Sequence, residues 1–303
     1  MAETGARAAE VLSNRIAALH EGRPRVWSVV ITVFGDAIVP RGGQVWLSTL
    51  SALFDRLGVN PGTLGAALSR LAAEDWLTRE RVGRRSRYRL ANAGRQAFDE
   101  ASRRIYGAED EDWTGTWSFW FVPEPSPKLA PELVEAGFGQ LGPGLLLRPD
   151  ADPPRPMPTS LAAATSLSRA TPHGDLAQLA RQGWPLDSAE ARYAGFVADY
   201  RPLAHAVESS SFAPLDALVA RTLLVHAFRR AVLKEPPLPA ACFSRTSPRS
   251  EARSLFGALY RSLFEPSERG LEAINEPEGL GRGSDTLRRR LAQLEKNILR
   301  KRP

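Results

Sequence analysis

Three features of the 303-residue sequence predict an α+β chain of several domains. Residues 44–90 run as a short apolar strand, two helices and an arginine-rich hairpin. From Trp113 the texture changes to short alternating runs broken by glycine and proline. Beyond Trp184 the periodicity is helical. The division expected is an N-terminal extension (1–23), a winged helix-turn-helix domain (24–108), a central ferredoxin-like α+β domain (109–186), an all-helical C-terminal domain (187–283) and a basic terminal helix (284–303). A chain of this length suits two or three domains, and 43% hydrophobic residues suffice for their cores.

Residues 1–22 read as an amphipathic helix with Val11, Leu12, Ile16 and Leu19 on one side. Arg25 to Ala37 is strongly apolar and forms the first helix of the second domain, its exit punctuated by Gly35-Asp36 and Pro40-Arg41-Gly42-Gly43. Ser48 is placed to cap a helix running to about Leu57, and Gly58 supplies a left-handed stop. Asn60 caps the next helix, with Pro61 at its first position where the missing N–H costs nothing. Leu64, Leu68, Leu71 and Trp76 recur at helical spacing and face Leu50, Leu53, Phe54 and Leu57. The outer face of that helix offers Thr63, Gly65, Ala66, Ala67, Ser69 and Arg70. The run LTRERVGRRSRYRL alternates around Gly83 and carries six arginines against one acid. Trp46, Trp76 and Tyr88 are expected in the core. Asn92 caps a helix to Tyr106, and Gly107 with Glu109–Asp112 marks a hinge.

In the central part, GTWSFWFVPEP forms a buried strand, and Lys128 to Ala136 a helix stopped by Gly137 and Gly139. Strands follow at Leu145–Arg148 and Thr165–Arg169, separated by a proline-rich loop at Pro149–Pro158, and then a helix from Gly174 to Gln182. This strand–helix–strand–strand–helix order is the basis of the ferredoxin-like expectation. Further helices are expected at about 187–200, 215–234, 248–264 and 267–275. Ser284 to Arg302 places Leu287, Leu291, Leu294 and Ile298 on one stripe and Arg288, Arg289, Lys296, Arg300 and Arg302 opposite. Such a helix either docks with a solvated basic face or meets a partner subunit or DNA.

The net charge of +6 is unevenly spread. Residues 24–95 hold eleven Lys/Arg against five Asp/Glu, and residues 284–303 hold seven against two. A basic surface releases counterions from phosphates, so double-stranded DNA is the partner expected of the hairpin and the helix before it. Thr63, Ser69 and Arg70 on the helix, and Arg84, Arg85 and Arg87 on the hairpin, are the candidate contacts; a solvated hairpin end is the alternative. The single cysteine, Cys242, excludes an internal disulfide framework and fits a reducing cytoplasm. The first 23 residues lack a signal peptide's apolar run, and no stretch approaches 18 uncharged apolar residues. His20, His173, His205 and His226 have no metal-ligand spacing, and no phosphate-binding glycine loop or nucleophile elbow occurs. Neither an enzyme nor a cofactor is expected.

The runs VVITVFGDAIVPRGGQVWLSTL, LSRLAAEDWLTRERVGRRSRYRL and ASRRIYG, then DWTGTW, EAGFGQLGPGLLLRP, GWPLDSAEARYAGFVADYRPL and RTLLVHAFRRAVLKEPPLPA, together resemble the PaaX-type repressors of phenylacetic acid catabolism. The resemblance covers roughly Val26 to Leu271. It implies a dimeric bacterial repressor with the three-part architecture above, acting on operator half-sites and relieved by an aryl-CoA thioester, typically phenylacetyl-CoA. Gly65-Ala66 departs from the family's usual Arg-Thr pair at the front of its recognition helix. Base reading then leans on Thr63, Ser69, Arg70 and the wing.

A CoA effector needs cations for its phosphates. His226, Arg229 and Arg230 share one helix and are one candidate set; a structural ion pair with Asp216, Glu235 or another acid is the alternative for them. Arg148 is a further candidate of the same kind. Trp184, Tyr193 and Phe196 suit either an acyl pocket or ordinary packing. Two rival functions follow: a regulator answering an unrelated ligand, and a metal-dependent nuclease seated in the central domain.

Overall fold

The computed structural model describes residues 2–22, 25–107, 112–123, 131–152, 154–161, 164–209, 212–244, 246–275 and 285–299. The expected hinge at 109–111, the first residues of the helix expected from Lys128, and Arg300 and Arg302 lie outside them. In chain order the elements are α1 (Ala2–Glu21), α2 (Val26–Val33), β1 (Gln44–Trp46), α3 (Leu47–Arg56), α4 (Pro61–Ala73), β2 (Leu77–Val82), β3 (Arg85–Leu90) and α5 (Asn92–Tyr106). There follow β4 (Trp113–Phe121), α6 (Pro131–Glu135), β5 (Gly139–Gly142), β6 (Leu145–Ala151), β7 (Thr165–Ala170), α7 (Leu176–Gly183), α8 (Leu186–Ser209), α9 (Pro214–Val232), α10 (Pro248–Ile274) and α11 (Asp285–Leu299). The fold is α+β with two small antiparallel sheets. Among the described residues no helix is long and apolar enough to cross a membrane.

The chain forms two compact units: residues 1–107, 197–229 and 253–303 make the first, and residues 108–196 and 230–252 the second. The stretch 187–283, expected as one helical domain, thus contributes to both. In the first unit, α9 is buried on every side from Ala217 to His226, as a helix at the centre of a core should be. Phe228 on α9 stacks on Phe256 of α10 with centroids 4.1 Å apart. Leu50, Leu53 and Phe54 of α3 and Leu64, Leu68 and Leu71 of α4 are buried as their spacing predicts.

Helix ends show where local chemistry decides. Val59 N–H donates to the carbonyl of Phe54 (2.9 Å), and Gly58 takes φ 73°, closing α3 as expected. Its start differs: Leu47 opens the helix, Trp46 occupies the cap position, and no side chain caps it, so Ser48 lies inside the first turn. Likewise Ala91, not Asn92, precedes α5, again without a side-chain cap. After α2 the backbone loosens into a π-helical turn (Phe34–Ile38) and a 3-10 turn (Val39–Arg41), and Gly42 (φ 99°) ends it.

Asp36, read in the sequence as punctuation, lies inside that π-helical turn and is 4% exposed. Its carboxylate pairs with Arg221 Nε at 2.8 Å and accepts from the Tyr106 and Tyr260 hydroxyls, each at 2.8 Å. Arg221 also donates to Glu268 (2.7 Å) and Ser267 (3.0 Å), and Glu268 pairs in turn with Arg41. Arg290 of α11 donates to the carbonyls of Gly35 and Asp36 and to Ser102, which docks the terminal helix on α5 and the π-helical turn. Burial alone pushes the Asp36 carboxyl up. The Arg221 and Arg290 charges and the hydrogen bonds from Arg221 and Tyr106 outweigh it and hold the group below the ordinary carboxylate value. Burial draws the Arg41 guanidinium down to about 10, and neighbouring Arg221 pushes the same way.

The second unit is built on a four-stranded antiparallel sheet in the order β5-β6-β4-β7. Two readings change here. Strand β5 occupies residues expected only to end a helix. β6 continues through Pro149 and Asp150, where a loop was expected. A single 3-10 turn (Thr159–Leu161), and no longer helix, is described between β6 and β7. Pro149 is tolerated because it stands opposite Trp117 near the end of the β4·β6 pairing. One face carries Trp117, Leu147 and Trp184, with Cys242 and Phe243 in the same cluster; the other carries Leu146 with Leu133, Phe138 and Leu161. Helix α10, expected as two pieces, is continuous with Pro266 inside it. The neighbouring Ser267 and Glu268 are fixed by Arg221, and those contacts stabilise the turn that proline weakens.

Candidate nucleic-acid interface

Helix α4 begins where Asn60 caps it: the Asn60 Oδ1 accepts from Thr63 N–H at 2.9 Å and from the Thr63 hydroxyl at 3.0 Å. Pro61 fills the first helical position. Thr63, Ala66, Ser69 and Arg70 are exposed and Gly65 is half-buried. Ala67, expected on the outer face, is 7% exposed because α4 packs on α2 as well as on α3. The available face is therefore narrower than the sequence suggests. Arg70 turns back, donating to Glu74 at 2.8 Å and lying 5.1 Å from the Trp27 ring centre.

The hairpin that follows is paired from Leu77↔Leu90 to Val82↔Arg85, leaving a two-residue turn of Gly83 and Arg84. Gly83 has φ 60°, the conformation that such tight turns require of a central residue. Opposed residues share a sheet face, so Arg85, Arg87 and Arg89 lie with Trp46 and Glu80, while Tyr88 and Leu90 lie with Val45 and Leu77 towards the core. Trp46 and Tyr88 are buried as expected, whereas Trp76 is half-buried and meets Phe98 edge-on at 6.0 Å.

The wing arginines divide by use. Arg87 is half-buried, pairs with Glu80 at 2.8 Å and lies over Trp46 at 5.5 Å. It braces the hairpin more than it reaches outward. Arg79 donates to Ser86, Arg81 to the carbonyl of Gly83, and Arg89 to Gln44. Arg84 and Arg85 at the tip are exposed. The face on offer is thus Thr63 and Ser69 on a helix and, on the hairpin, the exposed Arg84 and Arg85, the latter 6.0 Å from the Trp46 ring centre.

The residues expected to hold an effector fall in both units. His226 Nδ1 is 3.0 Å from the Thr32 hydroxyl, and Arg229 donates to Thr32 and to the carbonyl of Ser28, both at 2.9 Å. These two residues join α9 to α2. Their expected acids are otherwise engaged, Asp216 with Arg56 and Glu235 with Arg249. Arg230, exposed, belongs to the second unit, as do Arg148, Trp184 and Tyr193. Trp184 is 3% exposed and packs edge-on against Trp117 at 5.6 Å, while Tyr193 is fully buried. Burial lowers the Arg148 guanidinium, and so does the like charge of Arg169, against the opposing pull of Asp150.

Sequence reasoning missed Asp36, Arg221 and Arg290. Arg221 alone left a signal, an arginine inside the otherwise apolar run ALVARTLLV. Among the described residues no three His, Cys, Asp or Glu side chains gather as metal ligands, so the nuclease alternative gains no support.

Family comparison bears on the same segments. Residues 25–94 match the model of the PaaX-like protein family, and residues 184–273 match that of the PaaX-like protein C-terminal domain. The chain is also 31% identical over 274 residues to the transcriptional repressor PaaX of Escherichia coli (strain K12), covering 82% of this chain and 85% of that relative. The chain belongs to the PaaX family. The first matched segment runs from α2 to the start of α5 and so contains α4 and the whole hairpin. The second spans α8, α9 and nearly all of α10, the helices that carry His226, Arg229 and Arg221.

Proposed function

We propose that this PaaX-family chain is a transcriptional repressor of an aromatic-acid, phenylacetate-type catabolic operon, not an enzyme, and that it grips duplex DNA through a winged helix-turn-helix made of β1, α3, α4, β2 and β3. The observation that carries the reading is the pairing of a capped helix presenting Thr63 and Ser69 with a hairpin tip presenting Arg84 and Arg85. A helix of that kind enters the major groove, and the tip arginines position the protein on phosphates without reading sequence. Membership of a family that includes a transcriptional repressor supports it. The order β5-β6-β4-β7, antiparallel throughout, supports a ferredoxin-like reading of the central sheet, with a turn in place of one helix.

The remaining parts rest on the family resemblance. The repressor acts in the cytoplasm as a homodimer on two half-sites, and phenylacetyl-CoA or another acyl-CoA releases it. To carry the operator from almost fully bound to almost fully free, the effector must favour the released form by about 5.5 kcal/mol. Fluorescence anisotropy of the full chain on a duplex from its own promoter region tests the reading. A complex that forms at low salt, weakens steeply as salt rises and dissociates with phenylacetyl-CoA is expected. Failure to bind any duplex at low salt refutes it; binding that no acyl-CoA relieves leaves a regulator of another ligand.

A further inference from the structure

A cavity of about 230 Å³ opens at the polar end of the sheet face whose other end carries Leu146 and Trp120. That space is too large for a lone ion and suits a small organic anion. Its floor comes from the alternation of β4, which puts Thr116 and Ser118 on one face. Ser118 lies opposite Arg148 on β6 and opposite Arg169 on β7. Two arginines therefore flank a serine in one rung, their backbones two strand spacings apart, about 9–10 Å. Arg155 lines the side.

The charges do not balance. Among the described residues Arg148 and Arg169 share one carboxylate, Asp150, which is already committed to Thr116 (2.9 Å) and Ser118 (2.5 Å), with Arg169 3.7 Å away; Arg155 donates to the carbonyl of Pro237 at 3.2 Å. Arg148 is half-buried, and no carboxylate lies within ion-pair distance of it among the described residues. Its fork is held by the carbonyls of Pro156 and Arg155 and by the Phe138 ring at 4.7 Å. A fixed, partly desolvated guanidinium facing a like charge across a serine-sized gap calls for a bridging anion, and forked donors match phosphate oxygens.

We propose that this cavity binds the phosphate groups of a small organic ligand, Arg148 and Arg169 holding the anion across Ser118 while Arg155 closes the side. The inference deepens the effector half of the function proposed above and rests on that reading for the ligand's role. It moves the phosphate grip from α9 to the central sheet, because His226 and Arg229 are spent on α2.

Isothermal titration of the full chain at constant ionic strength tests it, with sodium pyrophosphate and ADP as probes and acetate as the carboxylate control. Both phosphate probes should bind and acetate should not. Arg169→Glu, at a side chain 75% exposed and therefore safe for folding, should weaken them at least tenfold while duplex affinity stays unchanged. Arg148→Lys, which keeps the charge and loses the fork, should weaken them severalfold. Wild type that binds neither probe, acetate that binds as well as pyrophosphate, or Arg169→Glu that binds like wild type overturns the site. Loss of duplex affinity in Arg169→Glu overturns it too, since the cavity would then belong to the DNA contact. A wild type that binds pyrophosphate and no duplex contradicts the repressor reading alone.

Discussion

Replacing Asp36 with alanine should cost the first unit about 4 kcal/mol. The carboxylate is 4% exposed, pairs with a fully buried Arg221, and accepts from two buried phenols. Removing one partner of a buried ion pair costs about 3–5 kcal/mol, because the other charge is left in a dry interior. Two phenols deprived of their acceptor would each add about 1–3 kcal/mol if independent. They share one site with the pair, so these losses overlap and do not sum. Glu268, still 2.7 Å from Arg221, limits the damage. At about 2–4 °C per kcal/mol for a unit of this size, the melting temperature should fall by roughly 8–16 °C. The charge can be separated from the contacts by pH. Because the folded carboxyl titrates below the unfolded value of about 3.9, its stabilisation is complete above that pH and fades as the pH falls through the folded value. The stability gap between wild type and Asp36→Asn should therefore be widest near neutrality and narrow below about pH 4. Urea denaturation followed by circular dichroism reads both effects. A loss under 1 kcal/mol for Asp36→Ala, or a gap independent of pH, refutes the coupled cluster.

Helix and glycine chemistry give further expectations. Asn60→Ala removes the acceptor for Thr63 and should cost about 1 kcal/mol, whereas Asn60→Ser should stay within a few tenths, both read by urea denaturation. Two glycine-to-alanine changes should have opposite signs. At Gly270 an added Cβ would collide with the backbone carbonyl of Pro214, so alanine there should destabilise by about 1–3 kcal/mol. At Gly195, exposed inside α8 with nothing near, alanine should stabilise by about 0.5–1 kcal/mol. Differential scanning calorimetry of the two variants checks the pair, and like signs would contradict the packing described.

What the sequence made legible was chemistry that acts over a few residues. Asn60-Pro61 and Gly58 fixed the ends of α3 and α4, and the leucine spacing placed their shared core. The alternation around Gly83 gave the hairpin its register. Opaque were features set by partners far along the chain. Asp36 looks like a turn residue until Tyr106, Arg221, Tyr260 and Arg290 converge on it, the nearest of them 70 positions away. His226 and Arg229, read as candidate effector contacts or as a structural ion pair, hydrogen-bond to α2 about 200 residues upstream, which no local pattern shows. Ala67 looked like an outer position because a second helix packing on α4 leaves no mark within α4 itself. Strand β5 was missed because GQLG carries no β-branched residue and holds its place only by pairing with β6.

The most direct test of the account concerns the hairpin tip. Each phosphate neutralised steepens the dependence of log affinity on log salt by about 0.9. Arg84 and Arg85, exposed at the turn, should each neutralise up to one. Changing both to glutamine should flatten the salt slope of duplex binding by up to about two units, with the fold unaltered by circular dichroism. A slope equal to that of wild type would take the tip off the DNA and contradict the interface on which the repressor reading stands.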